Sequence, residues 1–311
     1  MRVPLNELII GNGAGSCRSL GDVERLCKSE VITRITFGPV TMKRREGNIP
    51  VPPGDIYYFN PITRASVNSI GLKNDGWDEL KGKIRIAVRM AHSAGKELWV
   101  QINGFSPEDF VQLAVMCFEL GVDGVDINLG CPNIHDSGSQ KPIFSYNPEM
   151  TEEVLMAVRE GVGLNSMLKI SVKVSPVPDD IILPLGNAIV RSGIIREVIA
   201  INTLPNQEIF RPDGTPGLAF CAESGGPILH KGGEGGSDRV REHAVRVLRK
   251  LGEVLPPDIK RIGLGGIWFG EHLAEILDTG AVGFMCTTPF LENGVKHFDQ
   301  LLLTLPESES A

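Results

Sequence analysis

Short runs rich in Ile, Val and Leu alternate along this chain with longer stretches of helical period, giving eight such pairs after a Gly-rich start. Runs of four to six apolar or β-branched residues bounded by Gly, Pro and Asn read as strands, and apolar positions returning every three or four residues read as helices. The pattern predicts strands over 7–10, 31–36, 98–102, 124–129, 170–174, 197–201, 260–264 and 282–286. The clearest helices fall over 78–93, 107–120, 148–160, 238–251 and 271–278, with Pro107 and Pro148 in first turns, where proline is tolerated. Alternation of this kind means a parallel sheet. Eight units in 311 residues predict one (β/α)8 TIM barrel over 1–311 rather than a doubly wound sheet. Two long stretches rich in Gly, Pro and Asn, 43–75 and 203–237, are expected to cover the barrel mouth.

Composition narrows the class. A chain 42% hydrophobic and 22% charged is an ordinary globular protein with a large core. Its net charge of -7 argues against a nucleic-acid partner, which normally meets a basic footprint. The basic cluster Lys43-Arg44-Arg45 is short and runs straight into Glu46. The six cysteines (17, 27, 117, 131, 221 and 286) contain no Cys-x-x-Cys pair, and the six histidines do not converge at ligand spacing, so no metal site is expected. No apolar run approaches the roughly 18 residues that span a bilayer, and the N-terminus is too interrupted for a signal peptide. The expectation is a cytoplasmic protein with reduced thiols and no membrane partner.

Candidate chemistry concentrates where predicted strands end. Gly124-Val-Asp-Ile-Asn-Leu-Gly-Cys-Pro-Asn133 delivers Asn128, Cys131 and Asn133 into a Pro-containing loop, and in a parallel barrel that end of a strand carries the active site. A free cysteine is also commonly a small buried hydrophobe, and the segment alone leaves both readings open. Gly11-Asn-Gly-Ala-Gly15 follows the first strand, Gly263-Leu-Gly-Gly-Ile267 the seventh and Thr287-Thr288 the eighth, where barrels build phosphate sites from backbone amides. Taken singly, such glycines are more often tight turns. A Gly-x-Gly-x-x-Gly opening is missing, so NAD is not the first choice. Lys173 sits within a strand pattern, where it either faces a ligand or snorkels to solvent from the strand end.

Together these segments resemble the dihydroorotate dehydrogenase family, in its soluble class with a cysteine base. Arg45-Glu-Gly-Asn48 followed by Asn68-Ser-Ile-Gly-Leu-Lys-Asn74 resembles that family's substrate loop. Asn128-Leu-Gly-Cys-Pro-Asn133 resembles its catalytic loop, Val172-Lys-Val-Ser-Pro176 its flavin lysine, and Ile201-Asn-Thr-Leu204 its third amide cluster. Gly232-Gly-Glu-Gly-Gly236 and Gly263-Leu-Gly-Gly-Ile267 resemble its phosphate-binding glycines.

The resemblance implies FMN held by Gly13, Ala14, Gly15, Asn103, Asn128, Lys173, Gly235, Gly236, Gly265, Gly266, Thr287 and Thr288. It also implies a small-molecule substrate, dihydroorotate or a similar ring, held by Asn68, Ile70, Gly71, Leu72, Asn128, Asn133, Asn202 and Thr203. Cys131 is then the base that takes a proton from C5 while hydride passes from C6 to flavin N5, and Lys173 offsets the negative charge gained. The reaction implied is oxidation of dihydroorotate to orotate in pyrimidine biosynthesis, by a homo-oligomer, with fumarate as oxidant or NAD reached through an electron-transfer partner subunit.

Several positions depart from the family pattern. The soluble class places a lysine after the second strand, whereas Ile32-Thr-Arg-Ile-Thr-Phe-Gly-Pro-Val-Thr41 offers either Arg34 in its place or the Gly-x-Val-Thr form of the membrane-associated class. Ser237 to Glu242 replaces the usual continuation after Gly236, and Thr287-Thr288 the usual Gly-Thr. Gly130, where serine is usual, is shared with tRNA dihydrouridine synthases, a rival FMN barrel. An FMN barrel acting on another cyclic amide or alkene is the further alternative. His135 is the histidine expected nearest the site, and Ser139-Gln140-Lys141 is expected to form a lid.

Overall fold

The computed structural model describes residues 2–48, 56–136, 139–140, 142–163, 167–218, 220–221, 228–229 and 232–307. The side chains of His135, Ser139 and Gln140 and the whole of Lys141 and His230 lie outside that description, so the lid and the placement of His135 are not described. Eight parallel strands close into a barrel: β1 (Ile9–Asn12), β2 (Arg34–Val40), β3 (Glu97–Ile102), β4 (Gly124–Asn128), β5 (Lys169–Val174), β6 (Glu197–Ala200), β7 (Lys260–Leu264) and β8 (Gly283–Cys286). The ring closes where β1 pairs with both β8 and β2. This is a single-domain TIM barrel.

The helices form the outer layer: α1 (Leu20–Cys27), α2 (Trp77–Ser93), α3 (Pro107–Glu119), α4 (Pro148–Val162), α5 (Asp179–Ser192), α6 (Asp238–Leu251), α7 (Gly270–Leu277), α8 (Thr288–Asn293) and α9 (Lys296–Leu303). Local chemistry sets their starts. Ser106 caps α3 by accepting from the Asp109 amide, with Pro107 at the first helical position. The buried stripe Phe110, Leu113, Ala114 and Cys117 then faces the sheet. Outward strand residues such as Ile35, Phe37, Val100 and Val125 share one core with these helices.

Inside the barrel the filling divides by side. Toward β6, β7 and β8 it is a small apolar cluster of Ile199, Ile262, Leu264 and Met285. Toward β2 and β4, and at the N-terminal end of the strands, Arg34 is fully buried and binds Glu197 of β6 at 2.6 Å and also Asp126, which in turn accepts from Ser171. Its guanidinium carbon lies 3.6 Å from the centroid of the Trp99 ring. Arg34 therefore does not stand in for a lysine at the barrel mouth. It is the first residue of β2, and a barrel's functional end is the other one.

Above the mouth lies a second sheet that strand periodicity did not predict. Its antiparallel order is Leu204–Gln207, Gly232–Gly235, Ser66–Asn68 and Tyr57–Phe59, so parts of the two long stretches between barrel strands pair with each other.

Candidate active site

Between the strand ends and this upper sheet lies a cleft of about 1060 Å³, open solvent at its mouth included. Its floor is set by strand register. Asn128 and Lys173 are paired neighbours at the ends of β4 and β5, and both point inward because the positions two residues below them, Asp126 and Ser171, do. Cys131 follows Asn128 by three residues and lines the same cleft.

Four carboxamides that line the cleft with Cys131, and Asn103 behind them, form two hydrogen-bonded ladders. Asn202 donates to Asn128 Oδ1 at 3.0 Å, and Asn128 donates to Asn103 Oδ1 at 2.7 Å. Across the cleft Asn133 donates to Asn68 Oδ1 at 3.1 Å, and Asn68 donates to the Gly233 carbonyl. Asn48 braces the second ladder by donating to the Asn133 carbonyl at 2.9 Å. A carboxamide whose orientation is fixed by its neighbour presents a defined donor or acceptor to a ligand. These amides come from strand ends and from the upper sheet, segments far apart in sequence.

Lys173 is 7% exposed and lines the cleft. Burial pulls its pKa down, while Cys131 and Asp126 push it back up. Beside it, Gln101 Nε2 and Thr203 Oγ1 are buried with no partner among the described residues. Buried polar groups are normally satisfied, so a cluster of free donors facing one cleft marks a place for a ligand.

The opposite end of the cleft is lined by backbone. Gly235, Gly236, Gly265 and Gly266 face it together with Thr287 and Thr288. Gly265 has φ +127°, a conformation that side-chain-bearing residues rarely adopt, and a β-carbon there would meet Val240 at 2.6 Å. The Thr288 hydroxyl lies 2.8 Å from that of Ser66, which ties α8 to the upper sheet.

Of the residues singled out from the sequence, Ala14, Gly15, Asn68, Ile70, Gly71, Leu72, Thr203 and the others named above line one cleft, with two exceptions. Gly13 is packed beneath Thr287, whose Oγ1 would stand 1.9 Å from an added β-carbon, so it is a contact glycine rather than a lining one. Asn103 supports Asn128 from behind instead of lining the cleft. Sequence reasoning missed Gln101, the inward residue two positions earlier on β3, as well as Arg18, Tyr57 and Ser66. The period-two pattern of β3 was the available signal for Gln101, since it shares a face with Trp99. The departures after Gly236 have a structural role: Ser237 caps α6 and donates to Glu234 at 2.5 Å.

The dihydroorotate dehydrogenase family model matches residues 6–308. The chain is similar to the dihydroorotate dehydrogenase (fumarate) of Lachancea kluyveri, 29% identical over 295 residues that cover 94% of this chain and 86% of the relative. Dihydroorotate dehydrogenase A (fumarate) of Lactococcus lactis subsp. lactis is 27% identical over 298 residues, with the same coverage of 94% and 86%. The catalytic subunit of dihydroorotate dehydrogenase B (NAD(+)) of Alkaliphilus metalliredigens is 30% identical over 219 residues, 70% of this chain and 64% of that one. The solved structure of the Eimeria tenella dihydroorotate dehydrogenase in complex with ferulenol shares the fold, with a TM-score of 0.77 at 15% identity, covering 98% of this chain and 83% of that one. With the family model matched nearly from end to end, the chain belongs to the dihydroorotate dehydrogenase family, oxidoreductases that act on CH–CH bonds.

Proposed function

We propose that this chain oxidises dihydroorotate to orotate with FMN bound in the cleft, Cys131 acting as the general base. The observation that carries the reading is the convergence of one thiol, four oriented carboxamides and one buried lysine on a single cleft. The residues fit the cofactor. Gln101 and Thr203 offer unsatisfied buried donors to a polar ring, and the glycines at 235, 236, 265 and 266 leave backbone room for a phosphate beside Thr288. When bound, FMN supplies the ring that accepts hydride from C6 of the substrate.

The protein's own contributions follow from chemistry. Asn68, Asn128, Asn133 and Asn202 carry both donors and acceptors, which suits the alternating amide and imide edge of a dihydropyrimidine. The backbone of Ile70, Gly71 and Leu72 meets the carboxylate. Cys131 removes the C5 proton, and Lys173 places a fixed positive charge where the bound ring gains electrons. Parts of the fumarate-linked relatives' resemblance extend over 94% of this chain, which favours fumarate as the oxidant to test first. The same reading takes the enzyme to be a cytoplasmic homo-oligomer.

The test is anaerobic titration of the purified protein with dihydroorotate while the flavin absorbance is followed. Stoichiometric bleaching is expected. Cys131→Ala should keep the flavin and slow the bleaching by about 10²–10⁴-fold, the usual worth of a positioned base. Bleaching at the normal rate in that variant removes Cys131 as the base, and an oxidised flavin with excess dihydroorotate favours another cyclic amide or alkene as substrate.

A further inference from the structure

Beneath the floor of the cleft, the barrel holds a charged layer that the reaction described above does not use. β4, β5 and β6 place Asp126, Ser171 and Glu197 side by side in register, and the next inward level up holds Asn128, Lys173 and Ile199. Lys173 thus stands one level above a carboxylate on each flank. Asp126 is 1% exposed and is pinned from two sides, by Arg34 from across the barrel and by the Ser171 hydroxyl. A side chain held this way cannot swing toward solvent, so its charge acts at a fixed position in a water-poor interior, where Coulomb interactions are several-fold stronger than in water.

We propose that Asp126 is a positioning residue for Lys173: a buried carboxylate, braced by Arg34 and Ser171, that keeps the lysine charged and directed at the floor of the cleft. The proposal rests on the reading of Lys173 as the group beside the bound ring. Among the described residues, few charged or titratable groups lie near the lysine. Cys131 follows β4 at its own level, and Asp126 lies below it on β4. Arg34 on β2 is held between Asp126 and Glu197, while β7 and β8 contribute Leu264 and Met285, which carry no charge. Asp126 is tied directly to the lysine's own strand, because Ser171, two residues below Lys173 on β5, donates to it, whereas Glu197 accepts from Arg34. Asp126 is therefore the carboxylate assigned to the lysine, and its negative charge, with that of Cys131, favours the charged ammonium.

The experiment is NMR titration of the Lys173 side chain in the full-length protein carrying ¹³Cε-labelled lysine, with Lys173→Arg assigning the signal. Asp126→Asn should lower the lysine's midpoint by about one pH unit or more, a tenfold weaker hold on its proton. Asp126→Glu should restore it, and Glu197→Gln should leave it where it is. An unshifted midpoint in Asp126→Asn overturns the proposal, as does an equal fall in Glu197→Gln, which marks a general loosening of the layer. If Asp126→Asn does not fold, Ser171→Ala, which removes one of the two braces on Asp126, is the second variant: it should lower the lysine's midpoint in the same direction, and an unmoved midpoint refutes the pairing. Because the signal belongs to the lysine itself, the outcome is independent of whether dihydroorotate bleaches the flavin.

Discussion

At the scale of single residues, the most costly placement in the site is the ammonium of Lys173, on a side chain only 7% exposed. Burial is the largest influence on it and lowers its pKa below the ordinary lysine value. The sign of the linkage follows. Between that lowered value and about 10.4, the unfolded chain binds more protons than the folded one, so stability rises with pH across the window. Below it, the penalty for a buried charge is present in full. Lys173→Met should therefore make the flavin-free protein more resistant to heat than the wild type at pH 7, with the margin shrinking as pH climbs toward 10. Thermal melts at pH 7 and at pH 10 check this, and a variant less stable at both values would show that the lysine is satisfied by contacts other than a ligand. Catalytic groups are often held at such a cost to stability.

Between elements, the contact of greatest consequence for the site joins the loop after β1 to the start of α8. Gly13 lies so close to Thr287 that an added methyl group would overlap the hydroxyl. Gly13→Ala should lower stability by about 1–3 kcal/mol through overpacking and loosen the wall that Thr287 and Thr288 form. Adding Thr287→Ala removes the nearest atom and leaves the next at 3.2 Å, so the double variant should recover much of the loss in urea denaturation. Additive losses would place the strain in the backbone instead. This contact also marks what the sequence could convey. All eight barrel strands were legible to within three residues at their starts, because their outward faces carry apolar residues at alternate positions, such as Val125 and Ile127 on β4 or Val172 and Val174 on β5, that pack under the helices. The upper sheet was not legible: its strands are three or four residues long, two of them mostly glycine or polar, and they pair across a hairpin, across a long loop or with a partner well over a hundred residues away. Gln101 was overlooked in favour of Asn103 for a related reason. Period two puts both amides on the inward face, and only the height at which β3 ends, at Ile102, separates the one that lines the cleft from the one that supports Asn128.

For the molecule as a whole, the barrel interior is built unevenly, apolar toward β7 and β8 and ionic toward β2 and β4. Glu197 shows the strain of that choice, since burial raises its carboxyl above the usual range even with Arg34 in contact. A buried ion pair is a poor source of net stability, yet removing one partner leaves an uncompensated charge. Arg34→Met should therefore cost about 3–5 kcal/mol in urea denaturation at neutral pH. Glu197, already raised by burial and now without its cation, would hold its proton more tightly folded than unfolded, so the variant should regain stability as the pH falls toward 5. Replacing the whole set, Arg34→Met with Asp126→Leu and Glu197→Leu, should restore most of the loss, because no buried charge is then left without a partner. If stability were all that the layer supplied, that triple variant would be equivalent to the wild type. The location of Lys173 directly above the layer argues otherwise: the triple variant should fold and still release its lysine's proton more readily. A stable triple variant with an unaltered lysine would mean that the ionic layer serves only to fill the barrel.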